Sequence, residues 1–249
     1  MEKDFLFDKK IQCPVCMQEF SEKIVRTSRL RRKQPDFDLR PRFADIDTMK
    51  YDVYSCPYCG YSSLSRYFEP LTKGQINLIM QNICEKFIPT GVETPEIYDY
   101  DTALSRYEQA LKCSAVKQAA ASELAYTFLK TSWLCRAMAE SMPEGTEEEK
   151  AKRSEIQQKE EAYYKKAYEG FQKALTTEDF PICGMDTLTM DYLLACIACH
   201  FKEYSFASKA VSNILGSQTA DRRMKDKALD LKDIIVNAIK EEAAKKINA

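Results

Sequence analysis

Apolar positions along this chain change rhythm near Pro70. Before it they come in short β-favouring stretches; after it nearly every segment repeats at the helical period. Thr72-Lys73-Gly74-Gln75 has capping-box spacing and opens a run of Ile76, Ile79, Met80, Ile83 and Phe87, which Pro89 and Gly91 stop. A second helix is predicted from about Asp101 to Leu111 and a third from about Ala115 to Met142, with Pro143 and Gly145 as breakers. Thr146-Glu147-Glu148-Glu149 is another capping box. The long charged helix it starts becomes amphipathic only near Tyr163 and ends at Pro181 and Gly184. Two helices follow, about Thr187 to Lys202 and Tyr204 to Leu215. A last one, from about Ala220, carries Met224, Ala228, Leu231, Ile235 and Ala238 on one stripe. The pattern predicts a mainly α fold, with a small β-rich module over residues 1–70 and an all-helical domain over residues 71–249.

Inside the helical part a pattern repeats. Tyr100-x2-Ala103-x3-Tyr107-x2-Ala110-Leu111 recurs as Tyr164-x2-Ala167-x3-Phe171-x2-Ala174-Leu175, and more weakly as Tyr204-x2-Ala207-x3-Val211-x2-Ile214-Leu215. A small residue with a bulky one four positions later lets two helices approach closely while the larger side chain fills the gap. This is the second-helix pattern of a tetratricopeptide (TPR) repeat, and Leu124-Ala125-x2-Phe128 and Leu194-Ala195-x2-Ala198 supply first-helix signatures. Only the last unit keeps the regular interval, so the expectation is TPR-like rather than a regular array. An unrelated helical bundle with small residues at close crossings fits the same positions. On the TPR-like alignment, Tyr126 and Lys130 in one unit and Tyr192, Cys199 and His200 in another face a groove. Tyr126, Lys130, Tyr192 and His200 are the peptide-binding candidates, with Lys130 pairing a carboxylate. Packing against neighbouring helices is the alternative for each.

The β-rich module carries Cys13-Pro14-Val15-Cys16 and Cys56-Pro57-Tyr58-Cys59-Gly60. Two C-x2-C pairs are what a four-thiolate structural zinc site needs, each pair spanning one edge of the tetrahedron. Cys13, Cys16, Cys56 and Cys59 are therefore the expected ligands of one Zn2+ per chain, and iron in the same cage stays open. Gly60 suits a turn of positive φ; Met17 at the equivalent place must adopt a costlier conformation or another turn. The other six cysteines lie mostly in apolar helical patterns and read as small buried hydrophobes.

Between the knuckles lie 39 residues, and from 23 to 42 eight basic residues face only Asp36 and Asp38. Beside the tyrosines of the module, Arg26, Arg29, Arg31, Arg32 and Lys33 are candidates for holding a nucleic-acid backbone. The plainer reading is that these cations offset the charge of a four-thiolate site.

The whole chain has 249 residues and a formal net charge of -1, which argues against a generally nucleic-acid-binding or membrane-surface protein. The first residues include acids where a signal peptide would be basic, no apolar h-region follows, and no apolar run approaches the roughly 18 residues of a membrane helix. A cytoplasmic protein is the expectation. Cys196-Ile197-Ala198-Cys199-His200 matches the haem-attachment string, but that chemistry occurs outside the cytoplasm, so no haem is expected. His200 is the only histidine, which leaves few routes to catalysis, and the seven glycines form no phosphate-binding loop, so no nucleotide-hydrolysis motif is present.

Taken together, Cys13-Pro14-Val15-Cys16, Lys23-Ile24-Val25-Arg26-Thr27-Ser28-Arg29-Leu30-Arg31 and Tyr51-Asp52-Val53-Tyr54-Ser55-Cys56-Pro57-Tyr58-Cys59-Gly60-Tyr61 resemble a bacterial family catalogued as domain of unknown function 2225. The resemblance implies a bacterial cytoplasmic protein with a split zinc ribbon followed by TPR-like helices, and it implies no activity. The functional expectation is a non-enzymatic adaptor that binds a protein partner through its helices. A nucleic-acid-binding regulator and a zinc-linked thiol redox switch are the alternatives.

Overall fold

The computed structural model describes residues 2–89, 95–143 and 145–247; the proposed helix breaker Gly91 lies outside them. The fold is mainly α, with two small antiparallel hairpins near the N-terminus and, among the described residues, seven α-helices. The chain divides into two compact units, one of Met1–Gln34 with Pro41–Gly170, the other of Pro35–Arg40 with Phe171–Ala249. The compositional change at residue 70 and this division by packing are different cuts through the chain.

In the first unit, β1 (Leu6–Gln12) and β2 (Glu19–Val25) pair from Leu6↔Val25 to Gln12↔Glu19. β3 (Val53–Ser55) and β4 (Ser62–Leu64) form the second hairpin. Each hairpin carries one cysteine knuckle at its turn. Ile11, Phe20, Tyr61, Phe68 and the knuckle cysteines form a buried cluster, in which the Tyr61 and Phe68 rings stack at 4.9 Å.

Helix α1 (Lys73–Asn82) begins at the expected capping box: Gln75 N–H donates to Thr72 Oγ1 at 3.2 Å, and Thr72 N–H to Gln75 Oε1 at 3.0 Å. It stops before Phe87, because the chain tightens into a 3₁₀ turn over Cys84–Lys86. Helix α2 (Tyr100–Val116) starts on the Asp99 side chain. It is longer than expected, and α3 (Ala121–Ser141) starts later than Ala115. The turn between them contains neither glycine nor proline. Gln118 takes φ of +52°, and Ala119 N–H closes back onto Ser114 O at 3.0 Å, so a non-glycine residue makes the left-handed cap that glycine ordinarily makes. Helix α4 (Glu147–Thr177) opens at its Thr146 capping box. A Cβ built on its Gly170 would lie 2.8 Å from Ala125 Cβ of α3, so these two helices touch backbone to backbone.

The second unit holds α5 (Thr187–His200), α6 (Tyr204–Gly216) and α7 (Arg222–Ile247). Every residue of α5 from Tyr192 to Ala198 is buried. The α7 stripe is anchored by Ala228, Leu231 and Ile235. Across both units, Ala103, Ala110, Ala167, Ala174 and Ala207 of the repeated pattern are at most 1 % exposed, as close helix crossings require.

The middle of the insert, Pro35–Arg40, also counts with the second unit. It is a tight turn, with Leu39 N–H on Asp36 O, Asp36 N–H on Arg40 O, and Leu39 at φ +71°. Arg40 is fully buried and ion-paired with Asp36. Within this unit the carbonyl of Phe37 accepts from the Tyr192 hydroxyl at 3.1 Å and from the Cys196 thiol at 3.5 Å.

Candidate metal centre

The two knuckles have the same backbone. Cys13 N–H donates to Gln18 O and Met17 N–H to Cys13 O, both at 2.9 Å; Cys56 N–H donates to Tyr61 O at 2.8 Å and Gly60 N–H to Cys56 O at 3.0 Å. The fourth residue after each first cysteine turns the chain with positive φ, +62° at Met17 and +75° at Gly60. Met17 thus adopts the costlier conformation rather than another turn. Gly60 is doubly required, since an added Cβ would stand 2.4 Å from Cδ2 of the Phe87 ring.

These turns bring four sulfurs together, all within 4.8 Å of one another. The Cys13–Cys59 and Cys16–Cys56 sulfurs are 3.6 Å apart. A tetrahedron of Zn–S bonds of ~2.3 Å has edges of about 3.8 Å, so the donor set and spacing fit one thiolate-bound ion. Cys13, Cys56 and Cys59 are buried and Cys16 is partly so, which makes the cage a closed one.

Crowding governs the thiols themselves. Hydrogen bonds from Cys13 and Cys59 pull the Cys56 pKa down. Cys13 is pushed up by its bond to Cys56, and Cys59 by its bonds to Cys13 and Cys56, with burial adding to both. A divalent cation held here would favour the thiolate form of its ligands.

Several of the insert's cations have partners within the chain. Arg26 Nε donates to Leu6 O at 3.1 Å and Arg29 to Asp4 O at 2.9 Å; Arg31 forms a two-pronged pair with Asp45 at 3.0 and 2.6 Å. Arg42 meets Glu140 at 2.6 Å. Of the five nucleic-acid candidates, only the exposed Arg32 and Lys33 form no hydrogen bond or ion pair through their side chains among the described residues.

The peptide-binding candidates divide between the two units, Tyr126 and Lys130 in the first and Tyr192 and His200 in the second. Lys130 gives its ammonium to Asp52 at 2.6 Å. Burial lowers the pKa of Lys130, but Asp52, Tyr126 and Asp47 outweigh it and the net shift is upward. Tyr126 lies between Arg66 and Lys130, whose charges stand 5.2 and 5.7 Å from its ring centre. In the second unit Tyr192 is 1 % exposed, whereas His200 is exposed and sits edge-on to Phe201.

The sequence reading missed how the second hairpin is held. One face of α2 clasps it: Arg106 donates to Val53 O at 2.7 Å and Gln109 to Gly60 O at 3.0 Å, while the Cys113 sulfur accepts from Ser62 N–H at 3.4 Å; Lys117, capping the helix, donates to Tyr67 O at 3.4 Å just beyond the hairpin. Arg106 also grips both oxygens of Glu22, which is 1 % exposed on β2. The spacing 106, 109, 113, 117 runs down one helix face, but polar residues at that spacing do not name their target. Burial pushes the Cys113 thiol up to about 11, as for an inert core cysteine. Cys84 packs against the cluster that holds the knuckle cysteines.

Residues 6–235 match the model of a family described as an uncharacterized protein conserved in bacteria (DUF2225). The chain belongs to this family. No curated protein and no solved structure matches it. The family's description states no activity, so function rests on the site and on the helices around it. Among the described residues no helix is long and apolar enough to cross a membrane.

Proposed function

We propose that this chain is a non-enzymatic cytoplasmic adaptor, in which one Zn2+ on Cys13, Cys16, Cys56 and Cys59 sets the N-terminal fold and TPR-like helices bind a protein partner. The observation that carries the reading is the closed four-cysteine cage: four protein sulfurs fill a tetrahedral ion, leaving no position for a substrate. The zinc, when bound, supplies a crosslink between two hairpins too short to be stable alone. The partner-facing surface is assigned to α7, where Leu229, Val236 and Ile239 are 47, 38 and 43 % exposed and follow helical spacing on one face.

The test is affinity capture from bacterial lysate, split into nuclease-treated and untreated halves, with wild type beside Leu229→Glu/Val236→Glu. The adaptor reading expects a defined protein that survives nuclease and is lost with the double variant. Recovery only of nucleic acid, or of a protein indifferent to the substitutions, overturns it.

A second reading, a zinc-linked thiol switch, is favoured by Cys84, which packs against the cluster that includes Cys59. Hydrogen peroxide would take two electrons and two protons from this pair, giving one disulfide and two waters, with release of the metal. Zinc retention and an absent Cys59–Cys84 peptide after mild peroxide would remove it.

A further inference from the structure

The legs of the insert do more than carry its tip. Lys33 N–H donates to Arg42 O at 2.9 Å and Ala44 N–H to Arg31 O at 3.0 Å, so residues 31–33 and 42–44 run as a short antiparallel pair with Arg32 opposite Phe43. Residues directly opposite in such a pair project to the same face. Both line a cavity of about 390 Å³ within the first unit, together with Ile24, Thr48, Tyr54 and Ser65. That volume lies in the range of small-molecule sites.

The wall is chemically uneven. Arg32 has no hydrogen-bond or ion-pair partner among the described residues, in contrast to Arg26, Arg29 and Arg31 beside it in sequence. The hydroxyls of Thr48, Tyr54 and Ser65 likewise make no side-chain hydrogen bond there. The acid in the wall, Asp52, is already neutralised by Lys130 at 2.6 Å, so Arg32 sets the sign of the site. Ile24 and Phe43 supply apolar surface beside it.

We propose that this cavity binds a small organic anion, a carboxylate or phosphate group on an apolar or aromatic body. Arg32 takes the anion with its planar fork of donors, the hydroxyls complete the polar shell, and Phe43 covers the body. Positive charge in the insert thereby has a specific use that is neither nucleic-acid binding nor compensation of the thiolates.

The test is titration of the full-length, zinc-loaded protein with benzoate and with phenyl phosphate, using benzyl alcohol as the uncharged control. It is followed by NMR of the Arg32 side chain and the Thr48 and Ser65 amides. The expected result is saturable binding of one or both anions, with those resonances shifting and no response to benzyl alcohol. Arg32→Gln weakens binding about tenfold or more, the loss of a hydrogen bond to a charged group, while Lys33→Gln, one residue away and outside the cavity, leaves it unchanged. Which anion binds more tightly separates a carboxylate from a phosphate ligand. Absence of saturable binding by both anions, equal binding of benzyl alcohol, or an equal effect of Lys33→Gln and Arg32→Gln overturns the proposal.

Discussion

Replacing Gly60 by alanine strikes the metal centre through the backbone, without touching a ligand. Two costs can be read separately from the structure. Gly60 has φ of +75°, and a residue with a Cβ pays roughly 1–2 kcal/mol to stay there. The new Cβ would also stand 2.4 to 2.9 Å from three atoms of the Phe87 ring, so that ring must move, an overpacking cost of about 1–3 kcal/mol. Together they destabilise the knuckle by about 2–5 kcal/mol, or roughly 5–15 °C in Tm for a unit of this size. Thermal melts of the zinc-loaded protein read the total, and chelator competition reads the weakened hold on the metal. A double-mutant cycle with Phe87→Ala separates the parts, because removing the ring abolishes the clash and leaves the cost of φ, so the two substitutions together cost less than their sum. Met17 occupies the matching place at φ +62°, and Met17→Gly is therefore stabilising by about 1 kcal/mol. A melt of Gly60→Ala within 2 °C of wild type, or a destabilised Met17→Gly, would refute the account of the paired turns.

Cys56→Ser is expected to lower metal content from one ion per chain and to melt the first unit earlier, as strong chelator does to wild type; an unchanged melting profile after chelation would sink a structural metal. Arg106→Ala leaves Glu22, 1 % exposed, without its cation, and should cost about 3–5 kcal/mol in urea unfolding, whereas a loss under 1 kcal/mol would mean the pair is solvated. Gln118→Gly and Lys202→Gly each relieve a left-handed helix cap and should each raise stability by about 1 kcal/mol; a decrease for either would place the Gln118 or Lys202 side chain in a contact that outweighs its backbone strain.

Much of this molecule is local and therefore legible in one dimension. Capping boxes at Thr72 and Thr146 act over three residues, and both helix starts follow from them. The C-x2-C pairs likewise mark a candidate metal site, because a knuckle is a short turn whose chemistry is contained in five residues. The small residues of the repeated pattern mark close helix crossings, and their burial follows from size alone. By contrast, the turn at Gln118 was hidden: no breaker residue is present, and only packing holds a glutamine in a left-handed conformation.

The partners of charged residues were hidden for a related reason. A run of arginines has one composition whether its charges face a phosphate backbone or an internal acid. In the structure Arg26, Arg29, Arg31 and Arg42 meet the carbonyls of Leu6 and Asp4 and the carboxylates of Asp45 and Glu140, groups up to 98 positions away in sequence. Lys130 likewise finds Asp52, 78 positions distant in sequence. Sequence by itself determined the helical period, the caps and the two cysteine knuckles, each set by neighbours a few bonds apart. Tertiary structure decided where each charge is neutralised, which face of α2 clasps the second knuckle, and that Arg32 is left over to line a cavity. Those outcomes depend on long-range pairings that cost chain entropy and are fixed only when the core forms.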